Sequence, residues 1–342
     1  MTAVDIDGSR GEGGGQILRT SLALSMITGK PLVMRNIRAG RAKPGLRRQH
    51  LACVHAARDL CGATVHGDEV SSKYLEFTPT ALVGGTSTID IGTMGSSTLV
   101  VQTVLMPMIV GGHALRLVIR GGTHNPMAPP FEFLDRVFLP VLHAMGARVS
   151  MTLDRHGFIG ERGDLGQLTV EIEGARSLRA IDIIETPAVT SRHATAILAR
   201  LPTHVADREL GVVHERLGWT RAECEVRETR FGGPGNALLL EVERGDLVRE
   251  LVSEIGEKGI RAELVAARAC EQLERYLAAN VPVGEHLADQ LLLPMALAGA
   301  GRFRCTPLSL HATTNIETIG RFLDVPIRDE PDGDAVLVTV GA

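Results

Sequence analysis

Gln16-Ile-Leu-Arg-Thr-Ser-Leu-Ala-Leu-Ser-Met-Ile-Thr-Gly29, followed by the apolar run from Leu32 to Ile37, is the stretch on which the fold of this chain turns. Ile17, Leu18, Leu22, Ser25 and Met26 recur at helical spacing and are closed by Gly29 and Pro31, so the segment reads as a helix feeding a strand. Ahead of it lies Ser9-Arg-Gly-Glu-Gly-Gly-Gly15, entered from an alternating strand that carries Val4 and Ile6. Glycines at this density let the backbone turn tightly and present N–H groups at a helix N-terminus, a natural seat for phosphate oxygens. The spacing is neither that of a Walker loop nor of a dinucleotide fingerprint. Glu12 would repel a bare phosphate unless a cation lay between them.

The same order returns twice. Gln102-Thr-Val-Leu-Met-Pro-Met-Ile-Val-Gly-Gly112 reads as a helix leading to the strand Leu115 to Ile119, and Gln290-Leu-Leu-Leu-Pro-Met-Ala-Leu-Ala-Gly299 as a helix leading to a short strand around Phe303. Second helices follow: Leu51, Val54, Ala57, Leu60 and Cys61 before Gly62, and Leu134, Val137, Phe138, Val141, Leu142 and Met145 before Gly146. Three α/β units predict pseudo-threefold packing, each helix pair covering one face of a sheet. The third unit reads as interrupted. Its first strand is placed at 168–172, while its glutamine helix begins only near Ala288. The roughly one hundred residues between suffice for a small domain. They read as a strand at 180–184, a helix at 205–217, a strand at 222–227, a Gly232-Gly-Pro-Gly235 turn, a strand at 238–242 and helices to about Tyr276. The expected fold is α/β (α+β), with a main domain over 1–179 and 277–342 and an inserted smaller α/β domain over 180–276.

Composition bounds the function. With 342 residues, 44% of them hydrophobic and 22% charged, the chain has the profile of a soluble enzyme-sized protein. A net charge of -4 argues against a protein that coats nucleic acid along its whole surface, and 3% aromatic content argues against extended base-stacking platforms. Five scattered cysteines without a CxxC pair fit a reducing compartment and disfavour structural zinc held by thiolates. No signal pattern or bilayer-length apolar run stands out, so a cytoplasmic protein without membrane contact is expected.

Four features bear on chemistry. Polar residues at the helix starts, Glu12 and Gln16, Gln102, Asp289 and Gln290, are placed to converge near the pseudo-axis. Arg35, Arg38, Arg41, Lys43, Arg47 and Arg48 form a basic run free of acidic residues, suited to phosphates of a nucleotide or RNA end. Asn125-Pro-Met-Ala-Pro-Pro130 is a rigid loop able to wall a flat ligand. Ser309-Leu-His-Ala-Thr-Thr-Asn315 sets His311 at a polar helix start, where it suits a nucleophile, an acid/base or a phosphate ligand. Residue patterns alone reach an enzyme with an anionic, phosphorylated substrate and leave the reaction open.

Taken together, several stretches resemble the RNA 3′-terminal phosphate cyclases: Gly11-Glu-Gly-Gly-Gly-Gln-Ile-Leu-Arg19, Ile37-Arg-Ala-Gly-Arg-Ala-Lys-Pro-Gly-Leu46, Leu99-Val-Val-Gln-Thr103, Gly121-Gly-Thr-His-Asn-Pro126, Gly284-Glu-His-Leu-Ala-Asp-Gln290 and His311-Ala-Thr-Thr-Asn-Ile316. They lie in the family's order across nearly the whole chain. The resemblance implies three units similar to the C-terminal domain of translation initiation factor three, plus the inserted domain. It implies ATP-dependent conversion of an RNA 3′-phosphate to a 2′,3′-cyclic phosphate with ATP and a divalent metal, Mg or Mn, through a histidine–AMP and an RNA 3′-adenylate.

Carried over motif by motif, His311 would be the nucleophile, with Arg19 and Arg41 beside it in the catalytic set. Gln102, Pro130, His286, Leu287, Ala288, Asp289 and Gln290 would line the adenylate pocket, Arg38 and Gln49 would meet the RNA end or triphosphate, and Glu12 would hold the metal. Two departures stand out: His286 replaces a common tyrosine, and Gly160-Glu-Arg-Gly-Asp164 replaces a glycine run. The partners implied are ATP and an RNA with a 3′-terminal phosphate, and a homodimer is left open. Two alternatives compete with this reading: a non-catalytic RNA-binding homologue acting in ribosome assembly, which would lack the histidine, and an enolpyruvyl transferase, which would use no ATP.

Overall fold

The computed structural model describes residues 2–159, 165–175 and 177–341, so the departure at Gly160-Asp164 lies outside the described residues. In the first stretch β1 (Val4–Asp7), α1 (Gly15–Thr28), β2 (Leu32–Arg35), α2 (Arg48–Cys61), β3 (Thr64–His66) and β4 (Leu75–Thr78) form a sheet of order β1-β2-β4-β3. β1 runs parallel to β2, and the other pairs are antiparallel. The second stretch repeats this order: β5 (Gly85–Asp90), α3 (Ser97–Val110), β6 (Leu115–Gly121), α4 (Phe131–Phe133) running through a π turn into α5 (Leu139–Ala144), β7 (Val149–Arg155) and β8 (Gly166–Ile172). Its sheet is β5-β6-β8-β7, again with one parallel pair followed by antiparallel ones.

β9 (Asp182–Ile183) comes next and then the chain departs into β10 (Ser191–Ala199), α6 (His204–Leu217), β11 (Cys224–Thr229), β12 (Gly235–Arg244), β13 (Val248–Ile255) and α7 (Ala262–Ala279). These strands make their own sheet, β11-β10-β12-β13. The chain then returns with α8 (Glu285–Ala298), β14 (Gly301–Cys305), α9 (Leu310–Phe322), β15 (Ile327–Asp332) and β16 (Ala335–Val340), completing a sheet β9-β14-β16-β15.

Three expectations are corrected. The strand at 168–172 pairs along its length with β6 and β7 and closes the second sheet instead of opening the third. The strand near 180–184 is β9, which pairs in parallel with Arg302 and Phe303 and so belongs to the third sheet, not to the insert. Residues 248–255, read as helical, form β13. Each error has one cause: a short apolar run carries no record of its partner, and pairing is decided by segments more than a hundred residues away. The glutamines also do not open their helices, since Gln102 and Gln290 lie one and a half turns inside α3 and α8.

Alternation explains the layering. Along β6, Leu115, Leu117 and Ile119 are buried while Arg116 and Arg120 are not, the mark of a sheet covered on one face. The cover is helical: α1 packs on α2, α3 and α9, and α8 on α3 and α9. α3 is buried nearly all round, as a central helix must be. Gly29 and Gly299 end α1 and α8 in the left-handed conformation, at φ 68° and 77°, which lets the chain reverse at once into its strand.

Candidate active site

The first helices of the three helix-covered sheets meet in a cleft. Gln16, Arg19 and Thr20 of α1, Gln102 and Met106 of α3, and Asp289, Gln290 and Pro294 of α8 line it, with Asn315 of α9 at its edge. Apolar helices supply the walls, so the few polar side chains facing inward must satisfy one another.

They do so in one chain of hydrogen bonds. Gln16 Nε2 donates to Asp289 Oδ1 at 2.5 Å, and Asn315 Nδ2 donates to the same oxygen at 3.1 Å. Thr20 donates to Asn315 Oδ1 at 3.0 Å. His311 Nδ1 stands 2.6 Å from Gln16 Oε1. A carboxylate only accepts, so it fixes which end of the Gln16 amide faces it; the amide oxygen that remains can only accept from His311. Nδ1 therefore carries the imidazole proton, and the lone pair of a neutral ring is left on Nε2. That atom lies 3.8 Å from Glu12 Oε1.

The local sequence sets this geometry. Ser309 caps α9, its hydroxyl accepting from Ala312 N–H at 3.3 Å, and places His311 in the first turn. Thr314 Oγ1, one turn on, accepts from Glu12 N–H at 3.0 Å and so moors the glycine loop to α9. Gly15 has no room for a side chain: a Cβ there would lie 2.6 Å from His50 Nε2.

Electrostatics favour a neutral ring. Burial pushes the His311 pKa below its usual value; Asp289 opposes this, and Arg19 and Arg41 reinforce it. Burial raises Asp289, against the bonds from Gln16 and Asn315. Arg19 is pushed down by desolvation. His50, buried beside Arg38, Arg19 and Arg47, is held neutral with a pKa of about 3.

Glu12 and Gln290 Oε1 carry the site's unsatisfied polar atoms. The Glu12 side chain is 8% exposed, and neither of its oxygens has a hydrogen-bond partner among the described residues, although Arg41 lies against Oε1. A buried carboxylate with free lone pairs beside the glycine loop fits a divalent cation that takes its remaining ligands from phosphates and water.

The other expected residues divide. Asp289 and Gln290 face the cleft together with Gln102 and Arg19. Pro130 is buried at the start of α4. His286 is exposed, its ring edge-on to Phe133 at 6.5 Å. Leu287 and Ala288, each 1% exposed, turn into the hydrophobic core, which leaves only their backbone for a ligand. Arg38 donates to the carbonyls of Lys43 and Gly45 at 2.9 and 3.0 Å and thus braces its own loop. Gln49 accepts from Ser96 N–H at 3.2 Å, joining α2 to the start of α3. Sequence reasoning overlooked Thr20 and gave no role to Asn315; a polar pair one helix face from the glycine loop was the available signal.

The chain is similar to known proteins over nearly its whole length. The family model for RNA 3′-terminal phosphate cyclase matches residues 10–328. Proteins named RNA 3′-terminal phosphate cyclase from Ectopseudomonas mendocina and Koribacter versatilis are 47% and 44% identical over 326 residues, covering 95% of this chain and 94% and 91% of theirs. One from Salmonella enteritidis is 46% identical over 338 residues, covering 98% of each chain. The chain belongs to the RNA 3′-terminal phosphate cyclase family. An EPSP synthase structure from Acinetobacter baumannii overlays at 13% identity with a TM-score of 0.31 over 99% of this chain and 64% of its own, too low to carry an argument.

Proposed function

We propose that this chain converts RNA 3′-terminal phosphates to 2′,3′-cyclic phosphates at the expense of ATP, through a covalent adenylate on His311. Family membership supplies the reaction class, that of an ATP-dependent ligase. The observation that carries the mechanism is the Gln16 clamp, which holds the proton on Nδ1 and leaves the Nε2 lone pair toward Glu12.

In this reading Nε2 attacks the α-phosphorus of ATP, a P–N bond forms and pyrophosphate leaves. The RNA 3′-phosphate then attacks the same phosphorus and frees the histidine. The neighbouring 2′-hydroxyl closes on the activated phosphate and expels AMP. Arg19 and Arg41 are placed to meet charge building on phosphate oxygens. Asp289 and Gln16 keep the imidazole oriented as its charge changes. Gln102 and Gln290, with Pro130 and His286 farther out, form the nucleotide pocket, while Arg38 and Gln49 hold the loops that receive the RNA end. Glu12 would hold a Mg or Mn ion, which when bound offsets phosphate charge. Arg41 would then exchange its contact with Glu12 for one with phosphate.

Incubation with α-labelled ATP and metal, followed by denaturation, tests the reading: label should stay on the protein, survive alkali and be lost in acid, as a P–N bond requires. Label that persists in His311→Ala would move the nucleophile elsewhere, with Lys43 the next residue to replace. We also propose that the segment between β9 and α8 is a separate, RNA-handling domain with its seam placed after Ile183.

A further inference from the structure

A second cluster of metal-binding donors lies away from the cleft, where the second sheet meets the insert. His124, in the loop after β6, and Glu132, in α4, are 0% and 2% exposed, and His156 follows directly on β7. Their donor atoms all lie within 4.8 Å of one another, and among the described residues no other group of three His, Cys, Asp or Glu side chains does so. His124 Nε2 is 2.9 Å from Glu132 Oε2. His156 Nε2 is buried without a hydrogen-bond partner among the described residues.

We propose that His124, Glu132 and His156 bind one divalent first-row transition ion, Zn2+ foremost, as a structural staple within the second unit, beneath the insert. Two imidazoles and a carboxylate are a recurrent zinc set, completed by water, whereas Mg2+ and Ca2+ prefer oxygen donors alone. The outer shell has the form such a site needs. Thr123 Oγ1 lies 2.9 Å from His124 Nδ1 and accepts from Gly157 N–H at 2.9 Å, so it can take the Nδ1 proton and turn Nε2 into a ligand. The two imidazole rings are stacked with centroids 5.3 Å apart at 19°, so His156 must swing toward His124 to share an ion. Nothing ties its Nε2 in place against that movement. Binding at Nε2 replaces the hydrogen bond between His124 and Glu132, and the ring keeps its single proton on Nδ1, facing Thr123.

The location gives the ion its purpose. The insert's glycine turn lies on this strand: a Cβ on Gly232 would come within 3.0 Å of the His156 carbonyl oxygen, and one on Gly235 within 2.5 Å of Phe158 Cβ. Phe158 in turn stacks on His124 with centroids 4.9 Å apart. An ion here would hold the loop, the helix start and the strand that seat the insert, independently of the reaction at His311.

The full-length protein, stripped with chelator and titrated with Co2+, tests this. One equivalent should bind with visible absorption typical of imidazole ligation and, when Zn2+ is used instead, raise Tm. His156→Asn removes a nitrogen that bonds nothing, so it should fold with an unchanged circular dichroism spectrum and bind Co2+ at least tenfold more weakly. Glu12→Gln should bind as the wild type does, which separates this ion from one at the catalytic cleft. Absence of stoichiometric Co2+ binding by the wild type overturns the proposal even if the variants misfold. Equal affinity in His156→Asn and Glu132→Gln overturns it as well.

Discussion

The cleft at the helix junction and the seam under the insert are both buried and both polar, but they treat charge in opposite ways. In the cleft, Asp289 receives bonds from Gln16 and Asn315 and stands near His311, and the polar atoms left over belong to Glu12 and Gln290. At the seam, buried polar atoms are left over: Glu250 Oε2, Tyr276 Oη and Arg244 Nε lack partners among the described residues. Burial, with the nearby Glu285 charge, pushes Glu250 up to about 8. A fully bonded network fixes one geometry and one tautomer. A partly bonded one relieves its cost by staying protonated. Precision is concentrated where chemistry needs it.

The largest expected effect comes from breaking the cleft at its end point: His311→Asn should abolish covalent labelling and cyclic product while leaving the unfolding curve unchanged. Next is the clamp. Gln16→Leu leaves Asp289 with only its Asn315 bonds and frees the imidazole to rotate, and adenylylation should fall roughly 10- to 100-fold, the cost typical of losing an orienting partner. Asp289→Asn should act on pH as well as on rate. Removing a negative charge that favours the imidazolium lowers the His311 pKa further, so the acid limb of the adenylylation profile should move to lower pH. An unmoved acid limb would mean that Asp289 does not act on this ring.

At the seam the effects fall on stability. The insert's sheet is covered twice: Leu238, Leu240 and Val242 face its own helices, while Ile197, Leu239 and Leu251 join the body's core. Leu239→Ala should therefore cost about 2–5 kcal/mol and destabilise body and insert together in one transition. Separate transitions would show that the sheet is only loosely seated. The smallest effect belongs to Glu250. Its folded pKa is raised above the unfolded value, so the stability it confers is complete below about 4.5 and is lost as pH rises toward about 8. Glu250→Gln keeps the neutral form, and its Tm advantage over the wild type should widen between pH 5 and pH 8. Because Glu250 approaches Gly284, at the head of the helix that carries Asp289, the same variant tests whether the seam is felt in the cleft.

Legibility followed interaction range. The glycine loop, the long helices and their glycine stops were readable because their signals are local: apolar spacing, a capping serine before His311, a left-handed residue at the helix end. The basic run was readable as charge, yet not as structure, since Arg38 proves to bond its own loop while Arg41 reaches Glu12. Leu287 and Ala288 sit inside a motif that reads as one pocket, but helical periodicity sends neighbouring residues to different faces and buries both.

By itself the sequence determined the repeated helix–strand order, the interruption, and the residue types gathered around His311, because each is written in contiguous chain. Only the tertiary structure decided that 168–172 closes the second sheet and that β9 opens the third. It alone decided that the Gln16 side chain, 295 residues from His311, meets Nδ1 of that ring. Strand partners and tautomers are set by atoms brought together in space, and no local pattern along a chain encodes that meeting.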